Sequence, residues 1–323
     1  MIILLPVLSS AVCVGLLVWL MRVGAADRLA LDIPNDRSLH SRPMPRLGGI
    51  GIVAGVLTAV LLLRQWQLAA VVLLLAAVSW IDDRGHVPIL VRLSVQFVAA
   101  IAWVAFQMPG NWVLCAAAVF AVAWMTNLYN FMDGSDGLAG GMGLIGFAAY
   151  GVMASLAGNI VLAMLAFSVA ASAGGFLFFN FPPARMFMGD VGSVPLGFLA
   201  GAVGLWGWRQ GVWSPAFPLI VFLPFIIDAT VTLLARVWRR KKFWQAHHDH
   251  YYQRLVRLGW NQRRLVYCEY GLMVAVSLSA LAMRGASITI QWLVLGAWAI
   301  VCLKLMARVD RLWHRFELNR EKN

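Results

Sequence analysis

WVLCAAAVFAVAWMTNLYNFMDGSDGLAGGMGLIGFAAYGVMASLA, residues 112–157, consists of two apolar runs separated by a short polar turn. Each run is close to the roughly 20 residues that a helix needs to cross the hydrocarbon core of a bilayer. Such a helix satisfies its backbone hydrogen bonds internally, as the membrane interior requires. The turn contains carboxylates, and ionisable groups at membrane depth or at its edge are usually functional. The stretch predicts two transmembrane helices with a functional site where they meet.

The rest of the chain repeats this alternation. Its 323 residues are 61% hydrophobic and only 12% charged, with a mean hydropathy of +0.77, which excludes a soluble domain with a polar surface. The predicted fold class is all-α, a polytopic integral membrane protein forming one domain over residues 1–323. The eleven predicted spans are residues 2–21, 47–63, 66–81, 88–107, 112–127, 138–157, 160–179, 191–208, 215–236, 265–283 and 287–306.

The basic residues predict the orientation, because Lys and Arg are retained on the cytoplasmic side. With a periplasmic N-terminus, 23 of the 26 Lys and Arg residues lie inside, and Arg64, Arg209 and Arg284 lie outside. The odd number of spans then places the C-terminus in the cytoplasm, with a loop at 237–264 and a basic tail at 307–323. The net charge of +12 is therefore a topology signal that also attracts anionic lipids, and nucleic-acid binding is not indicated.

Four polar segments interrupt the apolar ones, and the predicted topology places all of them at inner helix ends. They are residues 82–83, 127–137, 180–193 and 247–250. Helix ends that converge on one face can build a single site, so we expect one site at the cytoplasmic membrane boundary. A further carboxylate, Asp228, lies within an apolar segment, where it either pairs with a neighbouring helix or supports the site without contacting substrate.

Two of these segments are rich in polar oxygen atoms. Asp82 and Asp83 are adjacent, so their charges repel, and a bound cation would relieve the repulsion; the alternative is that they only solvate a helix end. Asn130, Asp133 and Asp136 recur every three residues and would line one face of a helix, or belong only to a turn. A metal ion held against a phosphate substrate explains both segments.

The other two segments contain groups that bind phosphate. Asp190 begins an apolar helix, where it could serve only as an N-cap, but the free amides of a helix start also bind phosphate. His247, His248 and His250 follow the basic run 239–242, and Arg and His form strong charge-assisted bonds to phosphate. A solvated cytoplasmic loop is the alternative, and zinc is not indicated because no sulfur ligand is nearby.

These motifs resemble those of the polyprenyl-phosphate N-acetylhexosamine-1-phosphate transferases, a superfamily of the glycosyltransferase family 4 type. The resemblance runs from residue 32 to about residue 259. The first loop and the short histidine motif are nearest to the enzymes that initiate O-antigen or exopolysaccharide synthesis. The motifs, in the order of the family, are Asp82-Asp83, Asn127-x-x-Asn130-x-x-Asp133-Gly-x-Asp136-Gly-Leu-Ala, Asn180-x-Pro-Pro-Ala, Phe187-Met-Gly-Asp190-x-Gly-Ser and the late histidines.

The resemblance implies a reaction on the cytoplasmic face of the bacterial inner membrane. A UDP-N-acetylhexosamine, or a deoxy derivative such as the N-acetylfucosamine or N-acetylquinovosamine donor, would react with undecaprenyl phosphate to give undecaprenyl-diphosphate-sugar and UMP. The product would initiate O-antigen or another cell-envelope polysaccharide. The implied cofactor is Mg²⁺, with Mn²⁺ as the alternative, and a homodimer is compatible with the family. Phosphoryl transfer needs mainly positioning and charge neutralisation, which Mg²⁺ between carboxylates and phosphates supplies.

The same motif match implies roles for individual residues. Asp190 would be the metal ligand, with Asp82 assisting, and Asp82 or Asp83 would orient or deprotonate the lipid phosphate. Direct attack and a covalent aspartyl-phosphate both remain open. The implied catalytic histidines, facing the diphosphate or the sugar, are His247, His248 and His250. The residues implied to bind the nucleotide and its diphosphate are Asn130, Asp133, Asp136, Asn180, Arg185 and Phe187, the last by stacking on uracil.

Two other classes of protein share parts of this pattern. An intramembrane prenyltransferase also holds a diphosphate with Mg²⁺, but its aspartates lie three or four apart in two similar repeats, and here only Asp133 and Asp136 approach that spacing. A transporter would contain inverted repeats and polar residues at the membrane midplane. UMP release from a UDP-sugar distinguishes the transferase from both.

Overall fold

The computed structural model of the chain describes residues 2–24, 31–32, 43–85, 87–108, 110–241 and 248–320. After a 3-10 turn at Ile2–Leu4, these residues form α-helices and one small antiparallel sheet that pairs β1 (Leu31–Asp32) with β2 (Met44–Pro45). The helices are α1 (Leu5–Arg22), α2 (Gly48–Leu62), α3 (Trp66–Gly85), α4 (Ile89–Gln107), α5 (Trp112–Phe131), α6 (Leu138–Leu156), α7 (Ile160–Asn180), α8 (Asp190–Arg209), α9 (Ala216–Val221), α10 (Leu223–Trp238), α11 (Tyr251–Arg257), α12 (Gln262–Ala282) and α13 (Ile288–Arg320).

The predicted all-α membrane fold is confirmed. Nine helices in the described ranges are long and apolar enough to cross a membrane, and each of the eleven predicted segments corresponds to helical structure. The second segment forms the shorter α2, and the ninth is divided at Phe222 into α9 and α10. Pro218 and Pro224 lie on either side of this break, and proline cannot donate the amide hydrogen bond of a helix interior.

The helix boundaries bring the polar segments to one end of the bundle, here called the site end. α3, α5 and α7 finish at the site end, and α4, α6 and α8 begin there. Each pair is joined by a connection of at most nine residues, so the polar groups of one connection stay close to the helix ends. The convergence expected from the sequence is thus a property of the fold.

Three helices form the centre of the bundle. Between 67% and 83% of the residues in the apolar stretches of α6, α7 and α8 are buried. In the apolar stretch of α13, at the edge of the bundle, only 6% are buried. Small residues allow the central helices to approach closely, as in other membrane bundles. A Cβ atom on Gly49 would lie 2.2 Å from the backbone nitrogen of Gly192, so only glycine fits where α2 meets α8. This close contact between α2 and α8 holds the start of α8 at the site end.

The last helix is longer than a bilayer is thick. α13 has 33 residues, or about 50 Å at 1.5 Å per residue, whereas the hydrocarbon core is about 30 Å thick. The tail predicted at 307–323 is therefore an extension of the last span as far as Arg320. The predicted loop at 237–264 also contains a helix, α11, against which this extension packs.

Candidate active site

Asp82 lies at the end of α3, and both of its carboxylate oxygens have partners. Oδ1 accepts a hydrogen bond from the backbone amide of Val87 at 2.7 Å, and Oδ2 lies 2.5 Å from the Arg92 guanidinium. The same guanidinium lies 3.5 Å from Oδ2 of Asp190. Arg92, on the first turn of α4, therefore links the carboxylate that ends α3 to the carboxylate that begins α8.

Asp83 caps the start of α8 from a different helix. Its buried side chain, 3% exposed, accepts from the backbone amides of Asp190 at 3.4 Å and Val191 at 3.3 Å. The first amides of a helix have no partner within the helix and carry partial positive charge, so a carboxylate there is stabilised. The guanidinium of Arg46 lies 3.8 Å from Asp83 and adds to this stabilisation.

Asn130, near the end of α5, contacts Asp190 from the other side. Its Nδ2 donates to Oδ2 of Asp190 at 3.4 Å, while its Oδ1 accepts from the Ser193 hydroxyl at 2.6 Å. Ser193 lies one turn after Asp190 on α8. The amide oxygen of Asn130 accepts from Ser193, so the amide nitrogen of Asn130 is the end that faces the Asp190 carboxylate. The orientation of the Asn130 side chain is therefore set by α8.

The turn between α5 and α6 carries two further carboxylates. Burial, and then the charges of Asp190 and Asp83, raise the pKa of Asp133 well above its ordinary value. A cation among these groups would favour the charged form. Oδ2 of Asp136 accepts from the backbone amide of Ala184 at 2.9 Å, so Asp136 connects this turn to the loop before α8.

Asn180 and Arg185 also hold this loop. The buried amide of Asn180 accepts from the backbone nitrogen of Gly137 at 2.8 Å and donates to the carbonyl of Met186 at 2.9 Å. The exposed Arg185 donates to the carbonyl of Phe178 at 2.7 Å and lies over the Phe179 ring. Both side chains contact the protein around the loop between α7 and α8, and none of these contacts involves Asp190.

Phe187 is fixed through its backbone. Its amide donates to the carbonyl of Pro45 at 2.8 Å, and its carbonyl accepts from Gly48 at 3.0 Å. Its side chain is partly buried. These backbone bonds join the loop before α8 to the segment around the start of α2 and so fix the backbone of Phe187 three residues before α8.

His250 lies at the N-terminus of α11 and is oriented by Asp228. Its Nδ1 lies 3.1 Å from Oδ1 of Asp228, and the carboxylate also accepts from the backbone amides of Tyr251 at 3.1 Å and Tyr252 at 3.2 Å. Asp228 thus caps α11 from α10 and orients the imidazole at the same time. His248 is partly buried, and the predicted His247 lies outside the described residues.

Four of these residues, Arg92, Asn130, Asp190 and His250, line one cavity of about 510 Å³. Most of its wall is apolar and comes from α3, α4 and α5, where side chains such as Leu75, Leu93 and Phe120 line it. At the site end of the bundle the lining is polar, because Arg92 and Asn130 both contact Asp190 there. The polar residues in the lining are Ser79, Arg92, Gln96, Asn127, Asn130, Asp190, His250 and Gln253.

The structure therefore divides the predicted site residues into two groups. Asp82, Asp83, Asn130 and Asp190 are joined by direct contacts or through Arg92, and His250 lines the same cavity as Asp190. The residues that hold the adjoining turns and loop are Asp136, Asn180 and Arg185.

Several contributors were missed as site residues in the sequence. In the sequence, Arg92 served only to predict the membrane topology. The contact of Asp228 with His250 was not predicted. Ser193 and Gln253 were not assigned a role. The signal that could have identified Arg92 as a site residue is its position ten residues after Asp82, early in the next helix. For Gln253 the sequence contains no comparable signal.

The donor atoms suit Mg²⁺ or Mn²⁺ rather than zinc. No group of three or more His, Cys, Asp or Glu side chains in the described part of the chain is arranged as a ready metal site. Mg²⁺ does not need one, because it is usually held by one or two carboxylates together with substrate phosphates and water. Asp190 fits this role. Asp82 fits it less well, since its oxygens bond to Arg92 and Val87.

Comparisons with known proteins agree with this geometry. Residues 65–207 match the family described as glycosyl transferase family 4. The chain is 30% identical to the probable undecaprenyl-phosphate N-acetylglucosaminyl 1-phosphate transferase of Bacillus subtilis (strain 168), over 88% of this chain and 85% of that protein. It is 26% identical to the undecaprenyl-phosphate alpha-N-acetylglucosaminyl 1-phosphate transferase of Yersinia pestis, over 89% and 87%.

A third relative represents another branch. The chain is 32% identical to the phospho-N-acetylmuramoyl-pentapeptide-transferase of Levilactobacillus brevis, over 54% of this chain and 55% of that protein. The matched family region contains the ends of α3 and α5 and the start of α8, where the carboxylates converge. The chain belongs to the polyprenyl-phosphate N-acetylhexosamine-1-phosphate transferases, a family of multi-pass membrane phosphotransferases.

Proposed function

We propose that this enzyme transfers an N-acetylhexosamine 1-phosphate from a UDP-sugar to undecaprenyl phosphate, releasing UMP. The observation that supports this most strongly is the cavity, which has an apolar wall from α3, α4 and α5 and a polar end containing Asp190, Asn130 and Arg92. A prenyl chain matches the apolar wall, and phosphate groups match the polar end. The names of the Bacillus subtilis and Yersinia pestis relatives give undecaprenyl phosphate as the acceptor and N-acetylglucosaminyl 1-phosphate as the transferred group.

The reaction joins the lipid phosphate to the phosphate that bears the sugar. In the direct mechanism, a phosphate oxygen of undecaprenyl phosphate attacks the sugar-linked phosphorus, a new phosphorus–oxygen bond forms, and the bond to UMP breaks with its electron pair leaving on UMP. When bound at Asp190, Mg²⁺ or Mn²⁺ would neutralise charge on the diphosphate. Arg92 would contribute positive charge from α4, since a guanidinium binds phosphate oxygens strongly.

The remaining residues orient these groups. Asp83 holds the first amides of α8, and Ser193 directs the amide of Asn130 toward Asp190, so the position of Asp190 is set before substrate arrives. Such preorganisation is the main contribution that a protein makes to phosphoryl transfer. Asp228 fixes the ring of His250 in the same cavity, where the imidazole would face the phosphate or the sugar. Phe187 and Asp133 complete the nucleotide side.

The cellular setting follows from the distribution of positive charge. With 23 of 26 Lys and Arg residues on one side of the predicted spans, the site end faces the cytoplasm of a bacterial inner membrane, where UDP-sugars are available. The lipid-linked product would initiate O-antigen or another cell-envelope polysaccharide, with N-acetylglucosamine, N-acetylfucosamine and N-acetylquinovosamine as the candidate sugars. The enzyme would work as a monomer or as a homodimer.

The test is UMP release by the purified full-length protein in detergent, with undecaprenyl phosphate, Mg²⁺ and a panel of UDP-N-acetyl sugars. We expect lipid-dependent release, reduced at least about a hundredfold by Asp190→Asn. Glu317→Gln, which neutralises an exposed carboxylate on α13, is the matched control and should retain full activity. No release with any sugar would contradict the proposal and favour a prenyltransferase.

The same assay separates the two mechanisms. Without undecaprenyl phosphate, a burst of UMP equal to the amount of enzyme would indicate a covalent phosphosugar intermediate on an aspartate. Release that requires the lipid from the first turnover would indicate direct attack. Rapid mixing with a radiolabelled sugar donor, followed by denaturation and gel analysis, would identify any label attached to the protein.

A further inference from the structure

Gln253 lines the cavity and carries a buried hydrogen-bond acceptor without a partner among the described residues. The side chain lies on the first turn of α11 and is 8% exposed. Its Oε1 is buried and accepts no hydrogen bond from any residue that the structure describes. The residue lines the cavity together with Asn130, Asp190 and His250. Buried polar atoms are nearly always bonded, so an exception inside a substrate cavity needs an explanation.

Neighbouring groups determine which end of the amide faces the cavity. The Tyr252 hydroxyl donates to the carbonyl of Phe131 at 3.2 Å, so it can accept a bond but has no second proton to give. A Cβ atom on Gly134 would lie 2.2 Å from the Tyr252 oxygen and 3.2 Å from Nε2 of Gln253, so these two atoms are neighbours. The amide nitrogen is therefore the end of the side chain that can donate to Tyr252, and Oε1 is the end without a partner among the described residues.

Gln253 lies near the site end of the bundle. Its Nε2 lies beside Gly134, in the turn that carries Asp133, and Gln253 and the N-cap residue His250 both line the cavity. Gln96 also carries an unpartnered oxygen among the described residues, but it lies on the apolar wall near Leu93 and Phe97. Gln253 lines the same cavity as Asp190, the residue proposed to hold the metal ion against the diphosphate.

The free acceptor distinguishes between the two proposed substrates. A carbonyl oxygen needs an N–H or O–H donor. Undecaprenyl phosphate offers phosphate oxygens, which are acceptors when ionised, and a hydrocarbon chain. A UDP-N-acetylhexosamine offers sugar hydroxyls and the acetamido N–H next to the diphosphate. An acceptor at this place is therefore suited to the sugar nucleotide and not to the lipid.

We propose that Oε1 of Gln253 accepts a hydrogen bond from the sugar of the UDP-sugar and so contributes to donor specificity. This inference rests on the proposed function. It adds a specificity-determining residue on α11 to the groups on α3, α5 and α8.

The experiment compares Gln253→Met with the unaltered full-length enzyme. Methionine has a similar length and removes the acceptor. We expect the KM for the UDP-N-acetylhexosamine to rise about tenfold to a hundredfold, because a polar group of the sugar loses its partner. The KM for undecaprenyl phosphate and the inhibition constant of UMP should change less than about twofold, because neither molecule carries the sugar.

Two further variants control for folding and for the contact with Tyr252. Gln65→Met makes the same chemical change between α2 and α3 and should leave all constants unaltered. Tyr252→Phe removes the partner of the amide nitrogen but retains Oε1, so it should raise the KM for the sugar donor less than Gln253→Met does. Thermal unfolding midpoints of all variants in detergent report whether the fold is retained.

The outcomes are distinct. An unchanged KM for the sugar donor, an equal loss of UMP affinity, or a rise in the KM for the lipid would each overturn the role of Gln253. So would a Tyr252→Phe variant that reproduces the whole effect, since the contact would then be structural. Absence of UMP release by the unaltered enzyme would instead refute the proposed function, and the inference with it.

Discussion

Asp83, at the end of α3, accepts hydrogen bonds from the backbone amides of Asp190 and Val191, at the start of α8. Two carboxylates more than a hundred residues apart are thus held together by a helix terminus. The partial positive charge of that terminus and the nearby Arg46 offset their repulsion. Asp83 therefore has a structural role that the motif alone did not reveal.

The two functions of Asp83 can be separated by mutation. Asp83→Asn retains an oxygen that can cap α8, whereas Asp83→Ala removes the cap and should lower the free energy of unfolding by about 0.5 to 2 kcal/mol. Both variants lose the charge, so both should lose most UMP release if the charge of Asp83 serves the reaction. Thermal unfolding and UMP release are measured on the same preparations. Full activity in Asp83→Asn would show that Asp83 is only a cap.

Asp228 is expected to control activity through His250. Asp228→Asn keeps the size of the side chain but removes one of the carboxylate oxygens shared by His250, Tyr251 and Tyr252. The ring would lose its fixed orientation, and a misplacement of about 1 Å can lower a rate by about a hundredfold. We expect a lower kcat with little change in the KM for either substrate.

The control for this prediction is His250→Ala. If Asp228 acts through His250, Asp228→Asn in the His250→Ala background should cause no further loss of kcat. A full additional loss would indicate that Asp228 acts on the reaction by another route.

The extension of α13 supports the segment that carries His250. Asp310 lies 2.7 Å from the Arg254 guanidinium and accepts from the Tyr251 hydroxyl at 3.0 Å. The Arg254 side chain is only 8% exposed, so Asp310→Ala leaves a largely buried charge without its carboxylate partner. We expect a lower unfolding midpoint and a reduced kcat.

A double-mutant cycle tests this coupling. Arg254→Leu in the Asp310→Ala background should recover part of the lost stability, with a coupling energy of about 0.5 to 3 kcal/mol. Glu317→Ala, on the same exposed extension, is the matched control. Additive effects of the two substitutions would contradict a functional contact between α13 and α11.

Asp133 should make the stability of the metal-free enzyme depend on pH. Its pKa is raised well above 3.8 in the folded state, so the folded protein binds this proton more tightly than the unfolded chain does. The stabilisation is complete below pH 3.8 and is lost as the pH rises through the raised pKa. Asp133→Asn stays neutral and should be the more stable protein in EDTA at high pH.

The measurement is the thermal unfolding midpoint in detergent across a pH series. The difference between Asp133→Asn and the unaltered enzyme should grow with pH, and Mg²⁺ should reduce it if a cation binds near this carboxylate. If the unfolding midpoints of Asp133→Asn and the unaltered enzyme differ by the same amount at every pH, the raised pKa of Asp133 is refuted. Glu317→Gln, at an exposed position, should follow the unaltered enzyme throughout.

Much of the fold could be predicted because hydrocarbon imposes strict requirements on a chain. Apolar segments of sufficient length must be helical, and the eleven predicted segments are helical in the structure. Pro218 and Pro224 were signals in the sequence for the break at Phe222. Counting apolar residues over 215–236 does not detect the break, because the whole segment is apolar enough to be one span. The extent of α13 also exceeded the prediction, because charged residues continue a helix outside the membrane.

The site was predictable as a group of helix ends and less so as a set of contacts. The roles assigned to Asn180 and Asp136 in nucleotide binding remain predictions, and their observed contacts include the loop before α8. The pairs Arg92 with Asp190 and Asp228 with His250 join distant segments. No periodicity in a single sequence encodes such pairs.

The sequence by itself determined the membrane class, the helical spans and the family to which the motifs belong, because composition and local spacing carry that information. Only the tertiary structure decided that Asp83 caps α8, that Arg92 joins Asp82 to Asp190, and that Gln253, which lines the cavity, carries a buried acceptor with no partner in the described part of the chain. These relationships depend on how helices pack, since close approach and burial determine which polar atoms find partners within the protein and which remain for a substrate.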